Sequence, residues 1–343
     1  MEITFLQALW FLLIAVLIGG YFILDGFDLG AGVLYPFVAK NDKEKSIVRR
    51  SIGPVWDGNE VWLLTAGGAL FAAFPAAYAT TFSGFYLAVM LVLFGLIVRA
   101  ISLEYRVHDL KWKKIWDGCF FVGSLLPALL LGVAIGNVFA GIPMDAIGNY
   151  SGIPLLGLVT PFTLLCGILG LAMFLAQGAS WLALKAPVDS ELRQRALKLR
   201  TPLQLIALVL FVLLTAYALF AYAPSMLPIT TVLAWLFAAL FVVALVAAFI
   251  LGKKDKDLLV FLLQSGAAFF LVGVFAASMF PNFVIAAPGS VGPAITAMSA
   301  ASSELSLAWM TGITCVGLPI VLVYHVIIYR TFRGRVADED LNY

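Results

Sequence analysis

The sequence predicts an all-α integral membrane protein with nine transmembrane helices. Three observations carry that reading. The 343 residues are 63% hydrophobic and only 12% charged, whereas a soluble domain is about 25% charged. Nine apolar runs approach or exceed the length, about 20 residues, that a helix needs to cross the hydrocarbon core. Lysine and arginine collect in alternate connections. All 21 fall on one side of the bilayer when Arg99 is placed at the inner end of the third span.

The first run, 6–37, begins without a basic leader and without a convincing small-residue cleavage site behind it. It reads as an uncleaved span, interrupted by "DGFDLGAG" (Asp25 to Gly32). Span two covers 55–75, and Pro54 suits a first helical position, where no N–H is needed. The others cover 82–104, 117–140, 155–184, 202–223, 231–252, 258–280 and 305–329. Several exceed what crossing requires, so tilt or protrusion is expected. They group as four, four and one within a single transmembrane domain over 1–343, with approximate halves 1–140 and 155–280 and an extra helix at 305–329.

The basic connections are Lys40 to Arg50, Arg106 to Lys114, Lys185 to Arg200, "KKDKD" at Lys253 to Asp257, and the tail from Arg330. The other connections, 76–81, 141–154, 223–230 and 281–304, hold no lysine or arginine, and the outer charges are Glu2, Asp145 and Glu304. The positive-inside rule then places the N-terminus outside and the C-terminus in the cytoplasm. The longest outer connection, 281–304, has room for a re-entrant or interfacial turn. No basic patch is interleaved with aromatics, so nucleic acid is not an expected partner. Cys119, Cys166 and Cys315 lie in separate apolar runs and are expected to pack as small buried hydrophobes.

Four acids sit inside or at the edge of spans, where a charge costs about 2.5–3.5 kcal/mol on insertion scales. Asp25 and Asp28 are three apart, and so are Asp57 and Glu60 in "GPVWDGNEVWLL" (Gly53 to Leu64). Each pair shares a helix face. Spans one and two run in opposite directions, so both pairs fall in the cytoplasmic half and suggest a polar funnel opening inward. Two readings stand for each pair. One is proton handling. The other makes Asp25 and Asp28 hydrated loop residues, and Asp57 a favourable charge in a helix's first turn, with Trp56 and Trp62 as interfacial belt residues. Gly26 and Gly30 form a G-x-x-x-G suited to close helix packing. Arg99 either pairs with one of the acids or snorkels to the interface; snorkelling is the expectation.

Histidine is scarce. His108 lies in a charged connection and His325 lies near the inner end of the last span. A chain that ligated several haems would need more His or Met at mid-span. Two functional classes fit the residues: a proton-conducting or scaffolding subunit of a redox complex, or a proton-coupled secondary transporter. A transporter should carry paired broken spans in its two halves. Here the acids cluster in the first two spans, which favours the subunit.

"GYFILDGFDLGAGVL" (Gly20 to Leu34) and "IGPVWDGNEVWLLTAGGALFAAFPAAYATTFSGFY" (Ile52 to Tyr86) resemble the cytochrome bd quinol oxidase subunit II family. So do "WDGCFFVGSLLPALLLGVAIGNVFAGIP" (Trp116 to Pro143), "AQGASWL" (Ala176 to Leu182) and "YRTFRGRV" (Tyr329 to Val336). The resemblance implies two four-helix bundles plus one peripheral helix, paired with cytochrome bd subunit I in a heterodimer. That complex oxidises quinol and reduces oxygen to water. Two b-type haems and one haem d are then expected in the partner, with none ligated by this chain. A small single-helix accessory subunit, membrane lipid and a structural quinone are compatible with the family. The acids of "D-G-F-D" fall on Asp25 and Asp28, and the acid of "W-D-G-N", which lines the family's proton path, falls on Asp57, with Glu60 beside it. Electrons arriving at a buried haem are costly in low dielectric unless protons follow.

Overall fold

The computed structural model describes residues 3–109, 111–222 and 227–337. Glu2, counted above among the outer charges, lies outside them, as does part of the connection 223–230. The described chain is helical apart from its connections and its C-terminal end. The first apolar run forms α1 (Phe5–Leu24) and α2 (Gly26–Val38), separated by Asp25 alone. Asp25 itself has αR backbone angles, and its N–H still bonds Tyr21 O at 2.8 Å. The two helices therefore make one candidate span, Phe5–Val38. The expected interruption is a single residue.

A short amphipathic helix, α3 (Asp42–Ile52), lies in the first basic connection, capped by the Asn41 side chain on Glu44 N–H. Next come α4 (Trp56–Ala73) and α5 (Pro75–Gly84). The sequence reading left 76–81 as a connection, but Pro75 at the first helical position starts a helix there. The chain continues through α6 (Tyr86–His108), α7 (Lys113–Ala140), α8 (Pro161–Lys185), α9 (Glu191–Ala221), α10 (Pro228–Gly252) and α11 (Asp257–Met279). Span five was expected from residue 155. Its helix begins at Pro161 because Thr160 and Thr163 cap each other's backbone there.

The outer connection 281–304 folds as an antiparallel pair, β1 (Asn282–Val284) and β2 (Ile295–Thr296), followed by α12 (Ala297–Ala300). It closes one end of the helices over Trp10, Phe11, Phe74 and Ile142. The last helix is α13 (Glu304–Thr331). It packs on α1 and α4, and Leu307 is its one buried residue. Cys166 is buried and Cys119 partly so, but Cys315 is exposed, contrary to expectation, because it sits on this peripheral helix.

Among the described residues, eight helices are long and apolar enough to cross a membrane. They match every expected span except 55–75, which is α4. That helix has 18 residues, about 27 Å at 1.5 Å per residue, and it carries Asp57, Asn59 and Glu60.

Helix α2 is central, packing on α7 and α8. Its approach to α8 requires glycine. A Cβ on Gly30 would stand 1.8 Å from Phe174 O, and one on Gly178 would stand 2.4 Å from Gly30 C. Gly26 faces the same helix, against Gln177 and Phe174.

Candidate functional site

The junction of α1 and α2 carries Asp25 and Asp28 into the interior, and both are 0% exposed. They are not hydrated loop residues. Facing them are Asn59 and Glu60 on α4 and Arg99 on α6. Arg99 does not snorkel: it too is 0% exposed. Its Nη2 donates to Asp25 Oδ1 at 2.7 Å and to Glu60 Oε1 at 2.5 Å. Close packing holds it there, since a Cβ on Gly123 of α7 would come within 2.7 Å of Arg99 N. A guanidinium with two carboxylates beside it gains more by pairing than by reaching for the interface.

Asp28 has no such cation. Its Oδ2 accepts from Asn59 Nδ2 at 2.7 Å, and Asn59 Oδ1 accepts from the Tyr329 hydroxyl at 3.0 Å. Nearby, Trp62 Nε1 donates to His325 Nε2 at 3.1 Å, and His325 Nδ1 lies 2.9 Å from Val321 O. Helix α13 thus meets the cluster through His325 and Tyr329, one turn apart. Asp25 Oδ2, Asp28 Oδ1, Arg99 Nε and Nη1, and the Tyr21 hydroxyl are buried without a hydrogen-bond partner among the described residues. Such groups are uncommon in folded proteins and mark sites of exchange or strain.

The structure gathers Asp25, Asp28 and Glu60 and leaves Asp57 apart. Asp57 is exposed in the first turn of α4, where its Oδ1 accepts the Gly58 N–H at 2.8 Å. Exposure falls inward from Asp57 to Glu60, whose side chain is 25% exposed, and then to the buried aspartates. Trp62 is buried, and Trp56 is half-buried against the inner core. The sequence alone assigns no role to Asn59, Tyr21 or Tyr329. An asparagine between two acids in an apolar run was the available signal for the first of them.

A second polar network braces the opposite ends of the helices. Asp117 accepts from Tyr35 Oη at 2.6 Å, from Lys45 Nζ at 2.7 Å and from Arg106. Asp42 accepts from Arg106 Nη2 at 2.9 Å and Lys113 Nζ at 3.2 Å. These bonds, Arg106 first, hold the Asp42 carboxyl below its usual range. A cavity of about 300 Å³ is lined by Arg50, Trp181, Lys185, Tyr329 and Arg335 among others.

Both ring nitrogens of His325 are engaged, and His108 is exposed at the end of α6. Among the described residues no group of three His, Cys, Asp or Glu could hold a metal ion.

Fold and site define a class: a multi-pass helical membrane protein with interior acids gathered on one arginine. Comparison with known proteins narrows it. The profile of the cytochrome bd terminal oxidase subunit II family matches residues 6–332. The chain is 35% identical to cytochrome bd-I ubiquinol oxidase subunit 2 of Escherichia coli K12, over 98% of this chain and 96% of the relative. It is also 35% identical to cytochrome bd ubiquinol oxidase subunit 2 of Bacillus subtilis 168, over 98% of each. The bd oxidase structure from Geobacillus thermodenitrificans aligns with a TM-score of 0.77 at 15% identity, covering 96% of this chain and 99% of that one. The chain belongs to the cytochrome bd terminal oxidase subunit II family.

Proposed function

We propose that this chain is subunit II of a bd-type terminal oxidase, and that it carries protons from the cytoplasm toward the partner subunit. The complex couples quinol oxidation to the reduction of oxygen to water, and the haems reside in subunit I. This chain supports their assembly. Its nine spans, α4 included, form two four-helix groups within 1–140 and 155–280, with α13 peripheral. The N-terminus faces outside and the C-terminus the cytoplasm, following the segregation of lysine and arginine. Family membership removes the case for a secondary transporter.

One observation carries the proton reading: the inward gradient from exposed Asp57 through half-buried Glu60 to wholly buried Asp25 and Asp28. Two of the three interior carboxyl groups share one guanidinium, and the third faces an amide. Fully ionised, they would leave net negative charge in the bilayer interior, which is costly. Taking up protons relieves that cost, and passing them on restores it. Protons enter at Asp57, move to Glu60 and reach the Asp25–Asp28 pair. The apolar groove between α9 and α10, lined by Phe162, Phe211 and Trp235, suits a quinone or lipid tail. The exposed face of α13 suits lipid or a single-helix subunit.

The test is quinol-dependent oxygen consumption per haem in the purified two-subunit complex. Asp57→Asn retains a side-chain acceptor for the α4 N-terminus but cannot relay a proton. Turnover should fall with haem content unchanged, and Asp57→Glu should retain more. Normal turnover in Asp57→Asn would remove Asp57 from the path.

A further inference from the structure

The hydrogen-bond chain Tyr329–Asn59–Asp28 joins the peripheral helix to an interior acid. An amide can turn either face to a neighbour. Here the Tyr329 hydroxyl donates to the Asn59 carbonyl at 3.0 Å, and the NH2 group faces Asp28 Oδ2 at 2.7 Å. Two consequences follow. With an N–H donor on Oδ2, a proton on Asp28 is favoured on Oδ1, the oxygen without a partner among the described residues. And a primary amide between a hydroxyl and a carboxyl is a poor proton relay, because it has no group that titrates in the working range. Tyr329 also lines the inner cavity. Asn59 therefore stands between the cavity and the acid as an insulator.

We propose that Asn59 and Tyr329 are positioning residues for Asp28, confining its proton exchange to Oδ1 and closing it to the inner cavity. This rests on the reading of Asp28 as a proton carrier. The charged and titratable groups acting on Asp28 are Asp25 beside it, Arg99 of α6, Glu60 of α4 and Tyr329 of α13, with Tyr21 of α1 next to Asp25. Helix α8 meets α2 here through the neutral Gln177 and the backbone at Phe174 and Gly178. Of these groups only Tyr329 bonds Asn59, so removing its hydroxyl perturbs Asp28 through the amide.

The experiment uses the purified two-subunit complex. Difference infrared spectroscopy across pH follows the protonated-carboxyl band that disappears in Asp28→Asn, and oxygen consumption per haem is recorded in parallel. Tyr329→Phe keeps the ring. It should keep the haem content and move the midpoint of that band by about one pH unit, the scale of one hydrogen bond to a charged group. The pH profile of turnover should move with it. An unmoved band overturns the proposal, and so does an equal change in the turnover profile when Tyr329→Phe is placed in the Asp28→Asn background. If Tyr329→Phe lowers haem content, Asn59→Ser, which spares the ring, is read by the same criteria. Undiminished turnover in Asp28→Asn would sink the carrier reading instead, whatever Tyr329→Phe does to the band.

Discussion

Replacing Arg99 with leucine removes the one cation that Asp25 and Glu60 share. At an effective dielectric of about 20, each of these pairs attracts by roughly 6 kcal/mol at the observed 2.7 and 2.5 Å. Desolvating the three groups takes back most of that. What remains decisive is the asymmetry of the deletion: two acids lose their partner in a site that water barely reaches. Breaking a buried pair from one side costs about 3–5 kcal/mol, enough to unseat a marginally stable fold. Arg99→Leu should therefore yield much less assembled complex and a lower melting temperature of what is recovered. The combination Arg99→Leu, Asp25→Asn, Glu60→Gln removes the charges together and should regain most of the assembly, without the proton function. Yield and haem per complex after tag purification measure both. A single Arg99→Leu variant with wild-type yield and melting temperature would refute the idea that this guanidinium holds the acids in the interior. Failure of the triple variant to recover would place the role of Arg99 in shape rather than charge.

Other outcomes are open to direct measurement. Gly30→Ala should impair assembly, since its Cβ would stand 1.8 Å from Phe174 O, while Gly312→Ala on α13, with nothing within 4 Å, should be silent; complex yield reports both. Phosphatase and fluorescent-protein fusions should place the N-terminus outside and the C-terminus in the cytoplasm. Expressed without subunit I, the chain should bind no haem in a pyridine haemochrome assay. Asp42 has its folded pKa depressed, so its contribution to stability is present above the unfolded value of about 3.9 and is lost as pH falls through the lower folded value. Its side chain is 66% exposed, and solvent screening keeps the effect below about 1 kcal/mol. Melting curves of wild type and Asp42→Asn should therefore differ slightly at neutral pH and converge only in strong acid.

Most spans were legible because their signal is summed over some 20 residues and tertiary contacts barely alter it. Connections were less so. Pro75 turned an expected loop into α5, and Thr160 delayed α8, because a cap or a proline acts through one residue that a long hydropathy window averages away. The four acids stood out by their cost in an apolar run. Their partners did not. Arg99 read as a snorkelling residue because it lies near the end of its span, and only the packing of α7 against α6 at Gly123 shows that it is enclosed.

Sequence spacing also paired the acids differently from the fold. A separation of three places two residues on a common helix face, but that face is wider than a buried contact. On α4, Glu60 turns to Arg99 while Asp57 stays at the surface, so the pair becomes an outside and an inside position joined by one turn. On the α1–α2 element the separation works the other way. Both aspartates are buried, yet they look to different partners, Asp25 to a guanidinium and Asp28 to an amide. A charge-assisted bond to a guanidinium is stronger than a bond from a neutral amide. Two identical side chains three residues apart are thereby given different partners: Asp25 pairs with the arginine, and Asp28 with the amide. Helix α13 contributes almost no buried surface, but its Tyr329 is bonded to the amide that faces Asp28.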